Sequence, residues 1–193
     1  MAETFEIQLA KVAGKINRVY MDDHQHRMEN GLLYYWNKAD HLRQSANILF
    51  NNNAPRDVFA MVAGLALEVL LKGIGRALER PNNSSHSLTK LTDDVGIPLS
   101  DDERILLEAM TEYILWAGRY PAPRQAFEWV RFWDVQKKQQ RRTSGIFSGT
   151  GDPDRSIGLV TFTRIWAKLA AYYHQAREAR PESSEFSWNK QAP

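Results

Sequence analysis

An arginine followed six residues later by a histidine occurs twice in the sequence, at Arg18–His24 and at Arg80–His86. Histidine titrates near neutral pH and can act as a general base, and arginine can stabilise the charge of a phosphorane. Such a pair could cleave RNA through its 2′-hydroxyl without a metal ion. We take His86 as the candidate base, with Arg80 or Arg119 as its cation. The alternative is that His86 caps the following short helix or bonds a backbone carbonyl.

Two charged residues, Glu68 and Lys72, interrupt the most apolar part of the chain. Because they are four residues apart, they can pair along one side of a helix. Alternatively, they meet His86 or Arg119 in a polar pocket that binds a ligand. Arg119 and Tyr120 are further ligand-binding candidates, since a guanidinium can hold a phosphate bidentately beside an aromatic ring. The alternative for Arg119 is an interaction with the carboxyl end of its helix.

A basic run, KKQQRR, occupies residues 137–142 and follows two tryptophans, Trp129 and Trp133. Basic side chains with neighbouring aromatic rings can hold single-stranded nucleic acid. On that hypothesis the nucleic-acid contacts are Lys137, Lys138, Arg141 and Arg142. The alternative is that the tryptophans pack in the core and the charges form a solvated helix end.

A possible metal site is the segment where His24 and His26 follow Asp22 and Asp23. Nothing else in that segment orders these side chains, so we expect a solvated loop and no bound metal. The chain has no cysteine, which excludes disulfides, thiolate metal sites and cysteine nucleophiles and fits a reducing compartment. The segment TSGIFSGTGDPD lacks the Lys-Ser/Thr pair of a P-loop, and the sequence predicts no cofactor.

The composition is that of a soluble globular protein, with 193 residues of which 43% are hydrophobic and 25% charged. This length suits one domain, and a net charge of +2 gives no overall field that would attract nucleic acid or anionic lipid. No signal peptide is predicted. The longest apolar run, Val58–Leu71, is too short to cross a bilayer and contains Glu68, so we expect a cytoplasmic protein without a membrane contact.

Hydrophobic residues recur with helical spacing along most of the chain, and no alternating strand pattern occurs. The predicted helices are Phe5–Val19, Leu32–Asn51, Asp57–Glu79, Ser100–Gly118, Gln125–Gln139 and Ser156–Ala179, with a short helix or turn within His86–Val95. Ser100 and Glu103 form a capping-box pattern. The predicted fold is an all-α, up-and-down bundle of about five to seven helices. We divide the chain into an N-terminal arm (1–30), the bundle (31–180) and a tail (181–193).

The helix predicted at Asp57–Glu79 is apolar almost all round, which places it at the centre of the bundle. Three glycines in it cost helix propensity and predict positions where another helix approaches closely: Gly64, Gly73 and Gly75. On the helix that begins at Gln125, one apolar face consists of Phe127, Val130 and Trp133 and is widened by Trp129 and Phe132, a spacing that fits packing in the core.

Four segments resemble those of the HEPN family of small helical bundles. They are YYWNKADHLRQSANILF, with its aromatic and small residues, the ALE-LLK-like run LALEVLLKGI, the loop HSLTKL, and WAGRYPAP with its Arg-Tyr-Pro ending. The matching features in these segments follow the order and spacing of that family and run from Tyr35 to Pro121, a little under half of the chain.

The resemblance implies a dimer and one of two kinds of activity. Toxin-type HEPN proteins are metal-independent ribonucleases whose motif is an arginine followed four to six residues later by a histidine on the last core helix. Other members lack that motif and bind nucleotides or partner proteins, often beside a minimal nucleotidyltransferase. Here Arg80–His86 comes before the stretch Gly118–Pro121 rather than after it, and Arg164 and His174 are ten residues apart.

The resulting prediction is a HEPN-like module that binds a nucleotide, RNA or a partner protein, in a prokaryotic toxin–antitoxin or defence setting implied by the resemblance. The expected partners are a second copy of the chain, and an antitoxin or a nucleotidyltransferase. One alternative is a metal-independent endoribonuclease that uses His86 with Arg80 or Arg119. Another is a structural protein whose helix Phe5–Val19 mediates assembly.

Overall fold

The computed structural model describes residues 31–81, 83–144 and 158–179, with side chains described outside 140–144. These ranges contain six helices and no strand: α1 (Leu32–Asn51), α2 (Arg56–Ala77), α3 (Leu88–Asp94), α4 (Asp101–Glu112), α5 (Ala126–Ser144) and α6 (Leu159–Glu178). A π-helical turn, Tyr113–Ala117, continues α4. The predicted all-α bundle is confirmed. The predicted helix Phe5–Val19, the tail at 181–193 and the segment with His24 and His26 lie outside the described residues.

The helix α2 lies at the centre of the bundle, as its composition predicts. It contacts α1, α3, α4, the π-helical turn and α6, and 12 of its 22 residues are buried. By length and composition α2 could also cross a membrane, since it extends beyond the apolar run Val58–Leu71. A core helix packed on all sides has the same composition. In α2, 61% of the most apolar 18-residue stretch is buried inside the bundle.

Glycines allow the neighbours of α2 to approach it closely. A Cβ at Gly73 would lie 2.9 Å from Tyr35 Cβ on α1, and one at Gly64 would lie 3.0 Å from Ile114. The predicted close approach is therefore confirmed at these two positions. At Gly75 the nearest atom to an added Cβ would be Val95 Cγ1 at an ordinary 3.6 Å, so that part of the prediction is wrong.

The ends of α2 differ by one or two residues from those predicted. The helix begins at Arg56 with Pro55 as its N-cap, so Asp57 lies in its first turn. An acidic residue there is favoured by the positive end of the helix dipole. The helix ends at Ala77, and Glu79 follows with a φ of 55°, which stops helical propagation.

The apolar face predicted for α5 packs inward only in part. Phe127, Val130 and Trp133 are 57%, 62% and 52% exposed. Phe132, which widens that face, packs edge-to-face on two rings of the π-helical turn, and Val135 is buried. The prediction failed because large apolar residues surround most of the first half of α5, so their spacing does not distinguish the inner side. The helix also runs to Ser144, past the predicted end at Gln139.

The start of α4 is tied to α6 through one carboxylate. Ser100 and Glu103 form the predicted capping box, and Glu103 Oε2 also accepts a hydrogen bond from Lys168 Nζ on α6 at 2.9 Å. Burial raises the pKa of Glu103, but the hydrogen bonds from Lys168 and from the Ser100 backbone outweigh burial and lower this pKa below its ordinary value.

This arrangement predicts a loss of stability in acid. The pKa of Glu103 is lower in the folded protein than its ordinary value of 4.5. The contribution of Glu103 to the free energy of unfolding is therefore fully present above pH 4.5 and is lost as the pH falls through the lower folded pKa. In Glu103→Gln the free energy of unfolding should be about 1 kcal/mol smaller at neutral pH and should fall less between neutral pH and acid. Urea unfolding of both proteins across this pH range checks the prediction. It would be contradicted if the free energy of unfolding of the two proteins fell in parallel with pH.

Candidate functional site

A buried carboxylate on α2, Glu68, is the centre of a polar cluster. It is 5% exposed, and its Oε1 accepts hydrogen bonds from Lys72 Nζ at 2.7 Å and from His86 Nδ1 at 3.0 Å. Its Oε2 has no hydrogen-bond partner in the described part of the chain. The structure thus brings together three of the residues that the sequence singled out.

The contact with Glu68 gives His86 a defined orientation. An ionised carboxylate only accepts hydrogen bonds, so facing it Nδ1 carries a proton; in the neutral imidazole Nε2 is then left as an acceptor. The imidazole is 54% exposed, so Nε2 can reach a ligand. The alternative prediction, in which His86 caps α3, is wrong. Ser87 is the N-cap, and its side chain accepts a hydrogen bond from the backbone of Lys90.

The loop 83–87 that carries His86 is held at both ends. Asn83 Nδ2 donates to the Asp94 carboxylate, and Asn83 Oδ1 accepts from the backbone of Ser85 at 2.8 Å. At the other end, the backbone of Leu88 donates to Thr111 Oγ1 on α4 at 3.1 Å. These bonds keep His86 in place before any ligand arrives.

A cleft of about 490 Å³ lies between the carboxyl-terminal half of α2, the loop 83–87 and α3, and we call it the basic cleft. The cations that line it are Lys72, Arg76, Arg80 and Lys90. Asp94 is the one acidic residue among its described lining residues, and Asn83 already donates to it. The cleft therefore offers an environment suited to an anion.

Two of these cations are available for a ligand. Arg80 and Lys90 are exposed, and neither has a side-chain partner among the described residues. Arg76 and Arg80 lie at the carboxyl end of α2, where the helix dipole favours positive charge. That effect does not account for Lys90, which comes from α3 and faces the same cleft.

Arg119 and Tyr120 lie elsewhere. Arg119 Nη2 donates to the Leu115 carbonyl at 2.6 Å, which is the helix-end interaction of the alternative. Its guanidinium lies 5.7 Å from the centre of the Tyr120 ring, and that of Arg124 lies 5.8 Å from it. Arg119 does not line the basic cleft, and no contact between Arg119 and His86 occurs among the described residues.

The basic run at residues 137–142 lies within the carboxyl-terminal part of α5. Lys137 and Lys138 are exposed, and Lys138 Nζ lies 3.3 Å from Glu108 Oε2 on α4. The side chains of Arg141 and Arg142 lie outside the described residues. As a nucleic-acid surface, this run remains a prediction.

A second buried carboxylate, Glu112 on α4, was not singled out from the sequence. It is 3% exposed. Its Oε1 lies 2.6 Å from Arg131 Nε, while its Oε2 accepts from Arg131 Nη2 at 3.1 Å and from Trp116 Nε1 at 3.2 Å. The pair spans two helices, so no local spacing reveals it.

The Glu112–Arg131 pair lies in a groove of about 620 Å³ between α4, α5 and the start of α3, which we call the α5 groove. Leu115, Phe127 and Val130 form apolar walls, and Ser87 and Thr89 form the end next to the His86 loop.

No group of three or more metal-ligating side chains occurs in the part of the chain that the structure describes. The polar clusters of this part are instead carboxylates paired with cations or with His86.

Fold and site together define an all-α helical bundle with a basic surface cleft beside a buried carboxylate–histidine contact. Comparison with protein-family models, with curated proteins and with solved structures finds no match for this chain. The resemblance to the HEPN family therefore stays a prediction that depends on the four segments quoted above.

Two cations of the basic cleft, Arg76 and Lys90, were missed in the sequence. A signal for Arg76 was present, because it follows Lys72 by four residues within α2. That spacing places the two on one face of the helix. No such signal exists for Lys90, whose position depends on the turn of the chain between α2 and α3.

Proposed function

We propose that this protein binds a phosphorylated ligand, a nucleotide or RNA, in the basic cleft. The observation that carries the proposal is the meeting of cations from two helices in one cleft of about 490 Å³ with a single acidic lining residue among those described. Arginine and lysine side chains bind phosphate through charge-assisted hydrogen bonds. Asn83 and Ser84, which also line the cleft, are polar groups that can fix a ligand's orientation.

Among the cations of the basic cleft, Arg80 and Lys90 are expected to attract the ligand more strongly than Lys72. Its ammonium already pairs with Glu68, so its charge is largely compensated. Arg80 and Lys90 have no such compensation among the described residues and supply the attraction. The wider proposal, which follows the resemblance, is a HEPN-like homodimer in a toxin–antitoxin or defence setting, with an antitoxin or nucleotidyltransferase as a possible partner.

A thermal-shift screen against nucleoside mono-, di- and triphosphates and a short single-stranded RNA tests the proposal. A ligand that binds only the folded state stabilises it by RT ln(1 + [L]/Kd), about 2.7 kcal/mol at 100 times Kd. We expect a rise in Tm that grows with ligand concentration and shrinks with added salt. No rise with any of these ligands would remove the proposal and favour a partner protein.

A second candidate function, a metal-independent endoribonuclease, is favoured by the Glu68–His86 contact. A buried carboxylate that fixes the tautomer of an exposed histidine is an arrangement that supports general base catalysis. Arg80 lines the adjacent basic cleft and Arg119 does not, so Arg80 is the better placed of the two predicted cations.

His86→Ala separates the binding function from the enzyme. If the protein is a ribonuclease, RNA cleavage in the presence of a chelator should fall at least about 100-fold in this variant. His41→Ala, which removes another exposed histidine on α1, is the matched control and should cleave like the wild type. Equal cleavage by wild type and His86→Ala, or none by the wild type at saturating RNA, rejects the enzyme.

A further inference from the structure

The loop that carries His86 separates two concave sites. Ser84 lines the basic cleft, and Ser87, three residues further along, lines the α5 groove. Three residues span at most about 10 Å. Each step of a stacked nucleic-acid strand advances about 3.4 Å, so about three nucleotides would reach from one site to the other.

The α5 groove is unsuited to phosphate. Its described lining contains the acids Glu108, Glu112 and Asp134 against the cations Arg131 and Lys138. An anionic group would therefore meet more negative than positive charge there. An uncharged planar group, which gains from apolar walls, fits this lining better.

Arg131 gives the groove a fixed flat surface. Glu112, which is 3% exposed, lies 2.6 Å from Arg131 Nε and accepts from Nη2 at 3.1 Å, so one edge of the guanidinium is held. The side chain is still 46% exposed. Phe127 is four residues earlier, on the same side of α5, and its ring is 57% exposed. Guanidinium planes and aromatic rings are the surfaces on which proteins stack unpaired bases.

We infer that the α5 groove is a base-binding subsite, and that the ligand is single-stranded RNA of about three or more nucleotides that crosses the His86 loop. Its phosphates lie in the basic cleft, and a base stacks between Phe127 and Arg131. This inference rests on the proposed function, because it takes the basic cleft as the phosphate site.

The test compares the affinities of a mononucleotide and a trinucleotide for the full chain, by competition with a fluorescently labelled single-stranded RNA. The trinucleotide should bind about tenfold more tightly, which corresponds to about 1.4 kcal/mol. Phe127→Ala should remove this advantage and leave the mononucleotide affinity unchanged. Because Phe127 is mostly exposed, the variant is expected to fold.

Trp133→Ala is the matched control. Trp133 is an equally exposed aromatic residue on α5 that does not line the groove. The Trp133→Ala variant should still bind the trinucleotide about tenfold more tightly than the mononucleotide.

If Phe127→Ala also keeps this tighter trinucleotide binding, or if both ligands bind equally to the wild type, the base subsite is rejected and the basic cleft stands. If neither ligand binds, the proposed function fails together with the inference. An equal loss in both variants would assign the effect to the outer face of α5 and also overturn the subsite.

Discussion

Reversing the charges of Arg80 and Lys90 together, in Arg80→Glu/Lys90→Glu, is expected to weaken the binding of single-stranded RNA about 100-fold. Both side chains line the basic cleft, and both are exposed without a partner among the described residues. Loss of two charge-assisted hydrogen bonds to phosphate, with added repulsion, accounts for an effect of this size. Stability should change by less than about 0.5 kcal/mol, because no described contact is broken.

The control applies the same charge change to exposed residues outside both sites and outside the basic run of α5, Lys38→Glu/Arg164→Glu. Affinities are measured by fluorescence anisotropy at one fixed salt concentration, since salt alone changes them. The control should weaken binding by less than about threefold, as exposed charges beyond a Debye length are screened. Similar losses in both double variants would mean that net charge, and not the cleft, attracts the RNA.

Replacing Lys72 with methionine is expected to lower the free energy of unfolding by about 3 kcal/mol. Glu68 is 5% exposed, and its Oε2 already lacks a hydrogen bond among the described residues. Without Lys72 its carboxylate keeps only the contact with His86. A buried charge that loses its ion-pair partner is costly, because the attraction of that partner no longer offsets the desolvation of the charge.

The double variant Glu68→Met/Lys72→Met separates the loss of the pair from the loss of one partner. Exchanging a buried pair for apolar side chains of similar size is often nearly neutral, so the double variant should lie within about 1 kcal/mol of the wild type. Urea unfolding of the wild type and both variants provides the comparison. A double variant that is less stable than Lys72→Met would show that the carboxylate stabilises the fold through His86 alone.

The sequence was sufficient for the fold because the helices are bounded by strong local signals. The predicted bounds of Leu32–Asn51 match α1, and the Ser100–Glu103 capping box opens α4 as expected. The spacing of apolar residues also placed α2 at the centre. It failed on α5, where Phe127 and Trp133 face outward, because spacing alone cannot tell which side of an all-round apolar segment meets the core.

The site was predicted only where its residues are local in sequence. Glu68 and Lys72 are four residues apart on one helix, so their pairing follows from helical geometry. Their contact with His86, and the arrival of Lys90 in the same cleft, depend on how the chain turns between α2 and α3. The Glu112–Arg131 pair joins two helices in the same way, and no spacing encodes it.

The most direct test of the basic cleft is a titration of the isotope-labelled protein with short single-stranded RNA, followed through its backbone amide chemical shifts. The largest shifts are expected in the carboxyl-terminal part of α2, from Lys72 to Ala77, at Arg80 just beyond it, and in the loop and helix that carry His86 and Lys90. Shifts at the carboxyl-terminal end of α1, around Ile48, should be small. Large shifts confined to α1, or to the region of Arg119 and Tyr120, would contradict the assignment of the cleft as the binding site.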